Sequence, residues 1–372
     1  MPAGVYLHIP FCKSRCSYCD FATDVYRSSD AVERYVAALC DEIPGRTDSN
    51  INVDTIYFGG GTPSLLSPIQ VERILTQVNS YLEVSPAAEI TMEMNPATVT
   101  PETLAGYRSL GVNRASFGVQ TFDDRELKLL ARGHDANDAR TTFRLLRDAG
   151  FENISFDLIA GLPGQMLKGW RRNLEESIAM QPEHMSLYLL EIHEGTPLAE
   201  QVRSGRRPLP DDDLAAEMYE MMLDTLSAAG YEQYEISNFA KPGFASRHNS
   251  KYWRLEPVYG FGVSAHSFDG FQRYANERDT ARYVERIEDH FVAEVSRERI
   301  DAASEFIFLG LRLNEGIELN EYRTRFGTNL VDKYAREISR LLETELIELS
   351  DDRLRLTRKG MLFSNEVFAE FV

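Results

Sequence analysis

Three cysteines, Cys12, Cys16 and Cys19, lie in the stretch YLHIPFCKSRCSYCDF (residues 6–21) at a C-x3-C-x2-C spacing, and Cys40 is the only other cysteine in the chain. Thiolates this close can converge on one metal centre, because each soft sulfur takes one corner of an iron–sulfur cube. A cubane has one more iron than this triplet has sulfurs, so one iron is left without a protein ligand. Three plainer readings compete. A structural zinc site normally takes four ligands at paired spacings. A disulfide wants an oxidising compartment, and unrelated buried thiols suit a core poorly beside Lys13 and Arg15. Cys40 falls in the apolar pattern of an expected helix, AVERYVAALCDEI, and reads as a small core residue.

The spacing, with the aromatic Tyr18 just before the third cysteine, resembles the radical S-adenosylmethionine superfamily. In that superfamily the open iron binds and reductively cleaves S-adenosylmethionine. The run GGGTP (residues 59–63) removes side chains from the path of a ligand. It fits neither the phosphate-cradling G-x4-G-K-[ST] pattern nor the dinucleotide G-x-G-x-x-G pattern. A tight turn after a strand would use the same glycines. Beside the cysteine motif, it resembles the glycine motif that holds the cofactor's amino group. Glu93, Gln120, Arg132 and Asp157 would each default to solvated surface or ion-pair duty. Together they supply carboxylates, a cation and an amide, which are the types that an ammonium, a carboxylate and two ribose hydroxyls call for.

Elements must bring these residues together. Six short apolar segments recur: VYLHI (5–9), DTIYFGG (54–60), EITMEMN (89–95), RASFGVQ (114–120), NISFDLIAG (153–161) and HMSLYLLEI (184–192). Helix-like segments separate them, with clear starts at Ser67-Pro68 (Gln70 three residues on) and at Thr100-Pro101-Glu102. Alternating strand and helix imply a parallel sheet with right-handed crossovers. Six units over the first 192 residues suit an α/β fold, a partial (β/α)6 barrel. The chemistry-bearing residues then fall at or near the C-terminal ends of the strands, where such barrels keep their sites.

Beyond residue 192 the pattern changes. DDDLAAEMYEMMLDTLSAA (211–229) reads as an amphipathic helix, YEQYEIS as a strand, and HNSKYW (248–253) and YGFGVSAHSF (259–268) follow. Residues 193–297 are expected as a connecting region. Residues 298–372, helices leading to the hairpin LIEL-SDD-RLRL, resemble a winged-helix-like module. With a formal net charge of −18 over 372 residues, nucleic-acid binding is not expected of it. No apolar run approaches the ~20 residues that span a bilayer, and no basic-then-apolar leader precedes the first strand. The expected setting is a reducing cytoplasm, with peripheral association to a membrane protein left open.

The motifs together resemble the oxygen-independent coproporphyrinogen III oxidase family, and most closely its HemW heme chaperone branch. The resemblance implies S-adenosylmethionine contacts at Tyr6, Tyr18, Gly60, Gly61, Thr62, Glu93, Gln120, Arg132 and Asp157, and by looser spacing at Glu191. It implies a [4Fe–4S] cluster on Cys12, Cys16 and Cys19. Two departures separate the chain from the oxidase branch: Phe21 stands, after Asp20, where the oxidase has a further cysteine, and only eleven residues precede Cys12. HNSKYW fits the HNxxYW motif of the chaperone branch, which places heme at His248, Asn249, Tyr252 and Trp253. A neutral imidazole can ligate iron and flat rings can stack on a macrocycle. His266 is a rival ligand, a satisfied histidine remains the plainer reading of His248, and Met218, Met221 and Met222 read as core. His8 reads as core, while His134, His184, His193 and His290 lack a supporting pattern.

The function these features imply is heme binding and transfer to apo-hemoproteins such as respiratory enzymes, with an electron donor as a further partner. In that branch the cluster and S-adenosylmethionine serve binding, assembly or redox control more than turnover. The alternatives are radical oxidative decarboxylation of coproporphyrinogen III, and an iron–sulfur redox sensor that binds no tetrapyrrole.

Overall fold

The structure, a computed structural model, describes residues 1–45 and 51–371. Its centre is six parallel strands, each hydrogen-bonded to the next: β1 (Ala3–Ile9), β2 (Asn52–Gly60), β3 (Glu83–Met94), β4 (Arg114–Gln120), β5 (Asn153–Ala160) and β6 (His184–Leu189). Helices α1 (Ser29–Gly45), α2 (Pro68–Tyr81), α3 (Pro101–Ser109), α4 (Ala136–Asp148), α5 (Leu167–Met180) and α6 (Asp212–Ala228) follow the strands in turn. This is the expected partial (β/α)6 barrel. The helix starts are set locally: Ser67 and Gln70 form a reciprocal capping box, as do Asp135 and Asp138. At Thr100 the box closes on Thr103 rather than Glu102.

Side-chain alternation sorts each strand into two faces. Val5, Leu7 and Ile9, then Ile56 and Phe58, Met92 and Met94, Ala115, Phe117 and Val119, and Ile154, Phe156 and Leu158 are buried in the main core. The alternate positions carry Tyr6, His8, Thr55, Tyr57, Thr91, Glu93, Ser116, Ser155, Asp157, His184 and Ser186. The inside of the barrel is therefore polar, and its groups must find partners because a buried polar atom without one costs about 1–3 kcal/mol.

Residues 193–299 contribute six further strands to the same sheet, the last running two residues past the expected boundary at 297. Beyond β6, β7 (Glu232–Glu235) and β8 (Asn238–Ala240) add antiparallel, with β8 against β6. On the other side, β9 (Val258–Phe261) runs parallel to β1, and β10 (His266–Phe268), β11 (Gln272–Asn276) and β12 (Glu294–Arg299) continue antiparallel. The resulting twelve-stranded sheet is open, in the order β12-β11-β10-β9-β1-β2-β3-β4-β5-β6-β8-β7. A seven-residue helix, α7 (Arg247–Trp253), packs against β2.

The C-terminal residues build a winged-helix-like module around a second core that includes Phe306, Leu311, Tyr322, Ile338, Leu354 and Phe371. Its wing pairs Ile347–Ser350 with Arg353–Leu356, and Ile317–Glu318 adds a third strand. Polar contacts fasten it to the barrel, among them Arg358 on Asp224 at 2.6 Å and Arg325 on the Leu255 carbonyl at 2.8 Å. Among the described residues no helix is long and apolar enough to cross a membrane.

Candidate functional site

The cysteine loop leaves β1 after Ile9 and is held by backbone bonds, Gly61 N–H to the Ile9 carbonyl and Tyr26 N–H to the Cys12 carbonyl, both 2.8 Å. Cys12, Cys16 and Cys19 are free and half-buried on it, whereas Cys40 is buried in α1. Burial pushes the Cys12 thiol up to about 11, with a hydrogen bond from Thr62 pulling the other way. A bound metal reverses that preference, since a coordinating sulfur loses its proton. Among the described residues no three His, Cys, Asp or Glu converge closely enough to grip a single metal ion.

One continuous hydrogen-bonded path ties two of the thiols together from outside the loop. The Thr62 hydroxyl donates to Cys12 Sγ (3.5 Å), and Asn95 Nδ2 donates to Thr62 Oγ1 (2.7 Å). Arg132 Nη2 donates to Asn95 Oδ1 (2.7 Å) and to the Gly118 carbonyl (2.7 Å), while Nη1 reaches Cys16 Sγ at 3.4 Å. The Arg132 guanidinium also lies close to the phenol of the half-buried Tyr18. Asn95 was not among the residues singled out in the sequence. The signal was available, since it ends the EITMEMN segment one residue past β3.

Beside the loop, the glycine run is fixed by close packing. A Cβ on Gly61 would lie 2.7 Å from the Pro10 carbonyl oxygen, and one on Gly60, at φ +109°, 2.6 Å from the His8 ring. Glu93 accepts from the Tyr57 hydroxyl (2.7 Å) and from the Gly60 N–H (3.1 Å). Burial raises its carboxyl to about 7, reinforced by Asp157 and opposed by those two donors and by Arg114. Asp157 is likewise raised to about 6 by burial, against a Ser186 hydrogen bond and the charges of Arg114 and Arg132. Gln120 ends β4 in the left-handed region at φ +68°, buried, and a Cβ on Gly118 would come within 2.4 Å of its Nε2. The Tyr6 hydroxyl sits 3.1 Å from His8 Nδ1.

Arg114, a second residue the motifs did not single out, is 1% exposed and leaves Nε and Nη1 without hydrogen-bond partners. It is the inward cation that moderates both carboxyls. Glu191 stands apart: its side chain is 74% exposed beyond the end of β6, 3.8 Å from His193 Nε2, whose other nitrogen is 3.8 Å from Asp20.

These features fit the groups implied by the motifs. Two half-buried carboxyls facing into the barrel, and an arginine whose Nε is buried without a partner, match an ammonium, hydroxyls and a carboxylate. The glycine cradle beside them admits a backbone-close ligand, and two of the three sulfurs receive hydrogen bonds from Thr62 and Arg132.

HNSKYW forms α7, capped by Ser246, with the His248 and Arg247 N–H groups on the two Glu89 carboxylate oxygens. His248 is 1% exposed. Its Nδ1 is 2.9 Å from Thr55 Oγ1 and its Nε2 3.3 Å from the Tyr252 hydroxyl, so both nitrogens are occupied. Burial lowers its basicity to about 3, with Lys251 and Arg114 acting in the same direction. The satisfied histidine is thus the state the structure displays, and iron ligation would require both bonds to break. Tyr252 is 36% exposed, Asn249 is half-buried, and the Trp253 ring lies under the Arg312 guanidinium at 4.3 Å. His266 is exposed on β10, close to the charges of Arg273 and Arg278, and Arg278 reaches the Asp20 carbonyl at 3.2 Å. Met218 and Met222 are buried core residues and Met221 packs against them.

Known proteins resemble this chain in sequence and fold. Residues 6–175 match the model of the radical SAM superfamily, and residues 298–363 that of the HemN C-terminal domain. The heme chaperone HemW of Bacillus subtilis is 37% identical, covering 99% of this chain and 99% of its own length. The mouse mitochondrial radical S-adenosyl methionine domain-containing protein 1 is 34% identical over 96% of this chain and 85% of its own. The structure of Escherichia coli coproporphyrinogen III oxidase (HemN) superposes with a TM-score of 0.86 at 23% identity, over 100% of this chain and 90% of that one. At that identity the likeness speaks to fold.

Proposed function

The chain belongs to the HemW heme chaperone family, and on that premise we propose that it binds heme and passes it to apo-hemoproteins, carrying a [4Fe–4S] cluster and S-adenosylmethionine as resident cofactors. The observation that carries this reading is similarity to chaperones of that name along 99% of both chains, through barrel, strand extensions and C-terminal module alike. The identity of Phe21, where the oxidase has a further cysteine, agrees with it.

Cys12, Cys16 and Cys19 would hold the cluster, Glu93 the amino group of S-adenosylmethionine and Asp157 its ribose hydroxyls. Arg132 would meet the carboxylate, with Gln120, Tyr6, Tyr18 and the 60–62 backbone shaping the remainder. When bound, the pair supplies one-electron chemistry that protein side chains lack. The chain's own part is placement and electrostatics. Arg132 and Thr62 donate to sulfur, which draws charge from the thiolates and raises a cluster's potential. The half-buried loop limits water around it.

Heme would meet α7 through Tyr252, with Asn249 and Trp253 beside it, on the side of the barrel where Gly4, Asp54 and Glu89 pack against that helix. His266, exposed on β10, is the rival imidazole for its iron. Acceptors would be apo-hemoproteins, membrane-bound respiratory enzymes among them, and an electron donor would serve the cluster. The free thiols suit a reducing cytoplasm. Anaerobic heme titration followed by the Soret band tests this site. His266→Ala is expected to weaken binding at least tenfold or change the band. A wild-type titration curve in that variant would remove His266.

A further inference from the structure

The inward ring of the HNSKYW helix packs beneath the carboxylate pocket, away from the exposed mouth. Tyr57 donates its hydroxyl to Glu93 Oε1 at 2.7 Å, and its ring stacks on His248 with centroids 5.1 Å apart and planes 28° apart. Tyr6 closes the same cluster, its ring 6.1 Å from Tyr57 and 6.5 Å from His248, so the three rings pack against one another. His248 itself cannot swing. Thr55 and Tyr252 occupy its nitrogens, Glu89 holds its N–H at 3.1 Å, and the Gly4 backbone leaves no room, since a Cβ there would lie 3.1 Å from the imidazole Cε1.

We propose that His248 is a positioning residue for Glu93: it fixes the Tyr57 ring that aims the carboxylate, and so sets the affinity for the amino group of S-adenosylmethionine. This rests on the reading that Glu93 takes that amino group. The chemistry suits an imidazole held neutral. A cation stacked there would pair with Glu93 and compete with the incoming ammonium, whereas a neutral ring gives rigidity without charge. The nearest lysine, Lys251, is kept from that role by Asp54 at 2.8 Å and Glu256 at 3.1 Å. Glu89 and Glu93 lie on the same strand, so one element carries both the anchor of α7 and the carboxylate it orients.

The test compares anaerobic equilibrium dialysis of S-adenosylmethionine with heme titration, using the cluster-reconstituted full chain. His248→Gln, His248→Ala, Glu93→Gln and the double variant His248→Gln/Glu93→Gln are measured, with iron content and circular dichroism confirming an intact fold. The single His248 variants should weaken S-adenosylmethionine about five- to twentyfold, in heme-free protein as well as in the heme-loaded chain. The double variant should bind no worse than Glu93→Gln, because the two residues act through one contact. His248→Gln is nearly isosteric and keeps the question answerable where His248→Ala fails to fold. Losses that multiply in the double variant, or heme loss with wild-type S-adenosylmethionine binding, overturn the proposal. A Glu93→Gln variant with unchanged binding instead overturns the reading beneath it.

Discussion

Replacing Glu93 with Gln removes one charge and keeps the shape, so its effect on S-adenosylmethionine binding can be worked out closely. A charge-assisted hydrogen bond is worth about 1.5–3 kcal/mol, and losing about 2 kcal/mol corresponds to roughly thirtyfold weaker binding. The carboxyl titrates near 7 because burial disfavours its charged form. An ammonium needs the charged form, so in the free protein the competent fraction falls as pH drops through 7. From pH 8 to pH 6 the wild type should weaken about tenfold on this account. Asp157, raised to about 6, should add no more than about a further twofold at the acid end. Glu93→Gln should keep only that shallow remainder. The same raised value has the opposite consequence for stability. Folding holds the proton more tightly than the unfolded chain does, so the ligand-free wild type loses stability as pH rises from the ordinary carboxyl range past 7, by about 3 kcal/mol for a carboxyl raised to about 7. The variant avoids that loss and should melt higher at pH 8. Anaerobic dialysis between pH 6 and pH 8, with thermal melts on the ligand-free protein, reads both. Equal affinity in the variant, or an undiminished tenfold slope, would refute the reasoning.

Chemically reconstituted protein should hold about four irons per chain, and Cys12→Ala, Cys16→Ala or Cys19→Ala should lose them, as read by iron analysis and the cluster's visible absorption. Asn95→Ala breaks the path from Thr62 to Arg132 and removes one hydrogen bond from each, so cluster retention after gel filtration should fall and thermal stability should drop by about 1–3 kcal/mol. Gly61→Ala places a methyl group against the Pro10 carbonyl and should displace the cysteine loop, which iron content would report as partial or complete loss of cluster.

The barrel was legible because its signals are local. Six apolar segments, their spacing, and caps such as Ser67 with Gln70 each depend on a few neighbouring residues. The candidate set of Glu93, Gln120 and Asp157 was legible because it sits at or near strand ends, which alternation and topology locate together. What escaped depends on contacts across long separations. Nothing in Val258–Phe261 announces that it lies parallel to β1, since the pairing is decided by packing some 250 residues away. Tyr57 and Arg114 look like ordinary strand residues until the barrel turns them inward beside Glu93 and Asp157. The HNSKYW motif could be recognised, but its orientation could not. That orientation depends on Glu89 and Thr55, and it turns the histidine inward while Tyr252 meets solvent.

The account rises or falls on heme delivery. Heme-loaded, cluster-reconstituted protein mixed anaerobically with an apo-hemoprotein should transfer its Soret signature to the acceptor, faster than free heme supplied at its measured dissociation rate. Heme that stays with the chain, or reaches the acceptor no faster than dissociation allows, would contradict it.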